Sequence, residues 1–147
     1  MEFRPYQGIG AMRFGATRQE LDEVLGPPDS IEPDDIVKET RQRRGPLVLR
    51  FRGPFGTLKQ VNRLRTIDIS KGADVTFDGS NLISDPRIVE KLSALDDPIA
   101  KERAYMLFPK LGLCLGGYGK KKIPEGKLII AFAKAALAEH IHLVETE

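Results

Sequence analysis

The chain is poor in the residues that usually build rigid chemical sites. Its 147 residues include one cysteine, Cys114, so neither an internal disulfide nor a cysteine-based metal centre can form. Lying between Leu113 and Leu115, that thiol is expected to be buried and inert. Histidine occurs at His140 and His142 only. On a strand that i, i+2 spacing would put both rings on one face, as a metal site needs, but no third ligand stands nearby. The expected state is two solvated histidines flanking a buried Ile141, with no metal and no cofactor. No apolar run approaches the roughly 20 residues that span a bilayer. Met1-Glu2-Phe3-Arg4-Pro5 lacks the basic and apolar runs of a secretory signal, so a cytoplasmic protein without membrane contact is expected. A phosphate-binding glycine loop is missing too. Gly112, Gly116, Gly117 and Gly119 lead into Lys120-Lys121-Lys122 and not into a helix. Asp34-Asp35 and Asp96-Asp97 are carboxylate neighbours on turns, where they cap or solvate. With no nucleophile and base in view, no enzyme activity is expected.

What is present reads as an ordinary globular chain, 41% hydrophobic and 30% charged. Residues 1–147 suit one domain. The net charge of +2 conceals an alternation: residues 1–35 carry −5, 36–73 carry +8, 74–100 carry −4 and 101–147 carry +3. The two acidic segments hold the helix signals.

Thr17 to Pro28 gives the clearest of these. Thr17 and Glu20 have the spacing of a capping box. Leu21, Val24 and Leu25 form an apolar stripe, and Gly26-Pro27-Pro28 stops the helix. A second start at Ser84 or Asp85 puts Pro86 in the first turn, with Ile88, Val89, Leu92 and Leu95 as the stripe and Asp96-Asp97-Pro98 as the stop. Around these, Phe3 to Arg13 reads as an extended arm, and Asp29 to Asp35 as an acidic turn region with no proline-containing strand. Ile36 to Thr40 and Leu47 to Arg52 read as a hairpin around Arg43-Arg44-Gly45-Pro46, apolar on one face and cationic on the other. Val61 to Ser70 is a third strand whose alternation slips between Leu64 and Ile67, as a bulge would cause, and Val75 to Phe77 a short fourth. Ala104 to Phe108, Leu111 to Gly116 and Leu128 to Ala133 are dense enough in apolar residues for covered strands. Ala135 to His140 reads as a short helix, with His140 to Val144 open to an extended ending. The predicted fold is α+β: an antiparallel sheet with two short helices on one face, the other face partly open. It could be a duplicated helix-plus-meander unit with halves 14–77 and 84–134.

The cationic hairpin gathers Lys38, Arg41, Arg43, Arg44, Arg50, Arg52, Lys59, Arg63 and Arg65. Internal balance against the acidic segments ranks first among its uses, an acidic protein partner second, and nucleic acid third, since few aromatics stand ready to stack on bases. Arg41, Arg43, Arg44 and Phe55 around the hairpin, with Glu32, Asp34 and Asp35 beside it, are the candidate contacts.

Phe14-Gly15-Ala16-Thr17 through Leu21, Val24 and Leu25-Gly26-Pro27 resembles the signature of small outer-membrane lipoproteins of the SmpA/OmlA type and of beta-lactamase inhibitor proteins. That likeness implies short helices on an antiparallel sheet, although the lipidation cysteine and the inhibitors' disulfides have no counterpart here. A closer resemblance is to cytoplasmic immunity proteins of bacterial polymorphic toxin systems. It is carried by Phe14 to Leu21, Leu25-Gly26-Pro27-Pro28, Val75-Thr76-Phe77-Asp78-Gly79, the Leu82 to Leu95 helix, Phe108 to Leu113 and Ile129 to Lys134. The resemblance implies a non-enzymatic protein that neutralises a cognate toxin delivered by contact-dependent routes such as type VI secretion. The rival readings are a nucleic-acid binder using the basic strands of residues 38–65, and a scaffold with another partner.

Overall fold

In the computed structural model, which describes residues 1–34, 38–53, 62–101, 103–124 and 126–146, the capping box closes as its spacing requires. The Glu20 amide donates to Thr17 Oγ1 at 3.2 Å and the Thr17 amide to Glu20 Oε1 at 3.4 Å, opening helix α1 (Arg18–Leu25). Gly26, at φ +78, ends it. Before α1 the chain forms β1 (Phe3–Arg4), β2 (Gly8–Ile9) and β3 (Met12–Arg13). Between the helices run β4 (Ser30–Asp34), β5 (Glu39–Arg44), β6 (Leu47–Arg52), β7 (Arg63–Ile69) and a small hairpin of β8 (Thr76–Phe77) and β9 (Ser80–Asn81). Helix α2 (Ile88–Leu95) is followed by β10 (Tyr105–Phe108), β11 (Leu113–Gly116), β12 (Leu128–Phe132), a 3-10 turn at Lys134–Ala136, and α3 (Leu137–Glu145).

Seven strands make the main sheet, antiparallel throughout, in the order β10-β11-β12-β7-β6-β5-β4. Each meander therefore follows a helix, and the two meet through their last strands, β7 and β12. The expected α+β architecture is present. Leu47, Leu49 and Phe51 alternate with Val48, Arg50 and Arg52 along β6, and the first three are buried. They share a core with Leu21 of α1, Ile88 and Leu92 of α2, and Ile67, Ile69, Leu113, Leu115 and Ile129 of the neighbouring strands. Both expected helices thus cover one face. The slip in β7 is a bulge: Arg50 faces Thr66 and Phe51 faces Leu64, leaving Arg65 without a partner on β6.

Five expectations need correction. The N-terminal arm is a three-stranded meander that buries Phe3, Ile9 and Met12, and its glycines shape the turns instead of keeping it loose: Gly8, at φ +141, lies where a Cβ would meet the Met12 carbonyl oxygen at 2.1 Å. Ser30–Asp34 is a strand despite Pro33, because it is the edge strand, where a missing amide costs least. Arg43 and Arg44 extend β5, so the turn shrinks to Gly45-Pro46, with Gly45 at φ +57 in the left-handed first position that a two-residue hairpin of this kind needs. Helix α2 starts later, at Ile88, since Asp85 Oδ1 accepts from the Arg87 amide at 2.9 Å and holds a turn there. In α1 only Leu21 is buried, whereas Val24 is 69% and Leu25 40% exposed. Polar contacts supply the missing attachment: Arg44 Nη2 donates to Asp22 Oδ1 at 2.7 Å and to the Gly26 carbonyl at 2.9 Å, and Gln42 Nε2 donates to Asp22 Oδ1 at 3.1 Å.

The third helix has the largest consequence. Residues 137–145 continue as α3 and lie on the opposite face, where Leu107, Cys114, Phe132, Ala136 and Val144 form a second core. Successive residues of a helix turn by about 100°. His140 and His142 therefore diverge, and the shared face that an extended strand would provide does not exist. His140 stacks on Phe132 at 4.4 Å between centroids, with Nδ1 2.9 Å from the Ala136 carbonyl oxygen. Cys114 is buried as expected. No helix among the described residues is long and apolar enough to cross a membrane.

Candidate functional site

Helix α3 covers the β10-β11-β12 half of its face, and among the described residues no helix packs on the β4-β5-β6-β7 half. The register collects charge there. Glu32 of β4 faces Arg41 of β5, which faces Arg50 of β6, which faces Thr66 of β7. One row over, Asp34 faces Glu39 and Glu39 faces Arg52. Such a surface follows from the period of two in each strand, since residues alternating with a buried set must share the outer side.

Arg41 lies between Asp34 (3.2 Å) and Glu39 (3.1 Å), and Arg50 between Glu39 (3.0 Å) and Asp68 (2.7 Å). Burial works against the Arg50 charge, but hydrogen bonds and attraction from Asp68, then Glu39, outweigh it and hold its pKa above the ordinary value. Exposed ion pairs contribute about 0 to 1 kcal/mol each. Their effect here is orientation, because each guanidinium is fixed by two acceptors: Arg41 by Asp34 of β4 and Glu39 of its own strand, Arg50 by Glu39 and Asp68 of the strands on either side. Glu32 and Arg43 make no ion pair among the described residues and remain available to a partner.

Where the bare half meets α3, a groove of about 280 Å³ is lined by Arg50, Arg52, Arg65, Asp68 and Glu139 among others. Glu139 joins helix to sheet, accepting from Arg52 at 3.0 Å and Arg65 at 3.1 Å. Burial alone would raise its pKa. The Arg65 hydrogen bond and the attraction of Arg52 and Arg65 together prevail, leaving the carboxyl below the usual glutamate range. A carboxyl depressed on folding contributes stability that is fully present above its unfolded pKa and is lost as pH falls through the folded value. Amides of α3 should therefore keep their hydrogen-exchange protection at neutral pH and lose part of it below about pH 4. Glu139→Gln should flatten that dependence.

Of the residues singled out from the sequence, Glu32, Asp34, Arg41 and Arg43 do come together on this surface. Arg44 does not: it lies on the covered side, bound to Asp22. Asp35 and Phe55 fall outside the described residues. The sequence reading passed over Glu39 and Asp68, although residues 36–73 contain no other acids and both serve Arg50. Two lone acids within a strongly basic segment were the available signal. Glu139 had none, because its partners are 74 and 87 positions away. Among the described residues, no group of three or more His, Cys, Asp or Glu side chains could hold a metal ion.

No protein-family model, curated protein or solved structure matches this chain.

Proposed function

We propose that this protein is a non-enzymatic immunity protein, working in the bacterial cytoplasm, whose bare charged half-face covers the active site of a cognate toxin. The observation that carries the reading is the fixed lattice of arginines and carboxylates on a face that no described element covers. Tight inhibition needs a surface already in its bound shape, because ordering side chains on binding costs affinity. Antiparallel strands hold Arg41 and Arg50 in place before any partner arrives. Alternating charges then favour a partner with the complementary pattern and repel others, which serves specificity more than raw affinity.

Nucleic acid fits less well. Arg41, Arg50, Arg52 and Arg65 are each already held by a carboxylate, so phosphates would have to compete for them.

The test is co-purification with the product of the adjacent gene, together with rescue of cells expressing it. Wild-type protein should form a complex and restore growth. The pair R41E and R43E should weaken the complex at least tenfold and lower the melting temperature by a few degrees, because a glutamate at position 41 would stand among Glu32, Asp34 and Glu39, whereas R41Q and R43Q should weaken the complex with less effect on stability. Neither complex nor rescue with the wild type, or full affinity in the double variant, would overturn the proposal.

A further inference from the structure

Helix α3 is held at both ends by arginines, from the sheet at its start and from the bend before β10 at its end. Arg52 and Arg65 hold Glu139 near its start, and Arg103 Nη1 donates to the carbonyls of Val144 (3.1 Å) and Glu145 (3.2 Å) at its end. Between the straps the helix is thinly seated. Val144 is its one fully buried residue, and Leu143 is 58% exposed. A chamber of about 340 Å³ lies beneath, lined by Tyr105, Cys114, Ile130, His140, Leu143 and Val144. Its walls are mainly apolar, and its volume falls in the range of small-molecule sites, about 300 to 1,000 Å³.

This chamber adjoins the charged groove, since Tyr105, Ile130 and His140 line both. Charge within the groove is unevenly placed. Arg50, at the end away from α3, is matched by Glu39 and Asp68. At the α3 end, two guanidiniums share the single carboxylate of Glu139. Among the described residues the groove balances as a whole, three arginines against Glu39, Asp68 and Glu139, but its α3 end, beside the apolar chamber, has two guanidiniums to one carboxylate. An apolar pocket with a cationic mouth selects a ligand that is apolar along most of its length and anionic at one end.

We infer that the space under α3 binds a small amphipathic monoanion, an aliphatic carboxylic acid of medium chain length. Its alkyl chain lies against Cys114, Ile130 and Val144, and its carboxylate shares Arg52 and Arg65 with Glu139. Arg rather than Lys suits that sharing, because the planar fork offers separate N–H groups to two carboxylates. Ligand occupancy fills space that α3 itself does not, so the bound form should be the more stable one.

Isothermal titration of the full chain with butanoate, hexanoate, octanoate and decanoate, each beside the alcohol of equal length, tests this. Affinity should rise about fourfold per methylene until the chamber is full. Acids should bind at least tenfold more tightly than alcohols, and Arg65→Gln should abolish that preference while Arg65→Lys restores part of it. Ile130→Phe, which occupies the chamber, should weaken the whole series without lowering the melting temperature. As the only thiol in the chain, Cys114 should react more slowly with a small disulfide reagent when octanoate is bound. No saturable binding of any acid by the wild-type chain, or equal affinity for acids and alcohols, would sink the proposal. Arg41 and Arg43 line neither cavity, so R41E/R43E should bind octanoate normally, which keeps this result independent of toxin binding.

Discussion

Phe132→Ala is expected to destabilise the protein by about 3 to 5 kcal/mol, measured by chemical denaturation. Phe132 is fully buried at the end of β12. Its ring meets Tyr6 edge-on at 5.9 Å and stacks on His140 at 4.4 Å. Tyr6 belongs to the N-terminal meander, where its hydroxyl donates to the Pro109 carbonyl, and His140 belongs to α3. One side chain therefore joins three parts of the chain that are remote in sequence. Truncation removes the apolar burial and leaves a cavity that the rigid β12 backbone cannot close. Its effect should be uneven: hydrogen exchange in α3 should rise before that of β6 or β7, since those strands lie in the other core. Phe132→Leu, keeping most of the volume, should cost less than half as much. A loss below about 1 kcal/mol for the alanine variant would mean that α3 is not seated on this ring.

Asp96→Ala should cost about 3 kcal/mol, because the carboxylate serves two backbone amides in the interior. Asp96 is 4% exposed, and its Oδ2 accepts from the Lys110 amide at 2.7 Å and the Leu111 amide at 3.2 Å. Its own amide closes the end of α2 on the Leu92 carbonyl at 3.0 Å. The residue thus fastens the end of α2 to the turn between β10 and β11. Alanine leaves two amides without acceptors where water reaches poorly, and each orphan carries a desolvation cost. Asparagine keeps a carbonyl oxygen at the same place and should cost about half as much. Equal melting temperatures for Asp96→Ala and the wild type would show that those amides find water, contrary to their burial.

Asp96 and Arg50 show how much of a side chain's role its near neighbours reveal. Asp96 appears in the sequence only as part of a helix-closing Asp96-Asp97-Pro98, which describes its local role and misses the amides more than a dozen positions away. Arg50 is similar. Its place opposite a buried Leu49 and Phe51 follows from alternation, but its bonds to Glu39 and Asp68 depend on the register of three strands. Val24 fails for a related reason: periodicity identifies an apolar stripe without saying how much partner surface lies beneath it. Here the sheet under α1 presents Gln42 and Arg44, and a polar clasp on Asp22 does what a wider apolar contact would have done.

By itself the sequence determined the features that depend on near neighbours: the capping box at Thr17, the end at Gly26, the alternation of β6, the bulge in β7 and the burial of Cys114. These are local because backbone dihedrals, caps and side-chain alternation are set within a few residues. Only the tertiary structure decided the edge position that tolerates Pro33, the helical course of residues 137–145, and the pairing of Arg52 and Arg65 with Glu139. Each of those is a competition between chain segments for the same neighbours, and its outcome rests on contacts across tens of residues that no local pattern encodes.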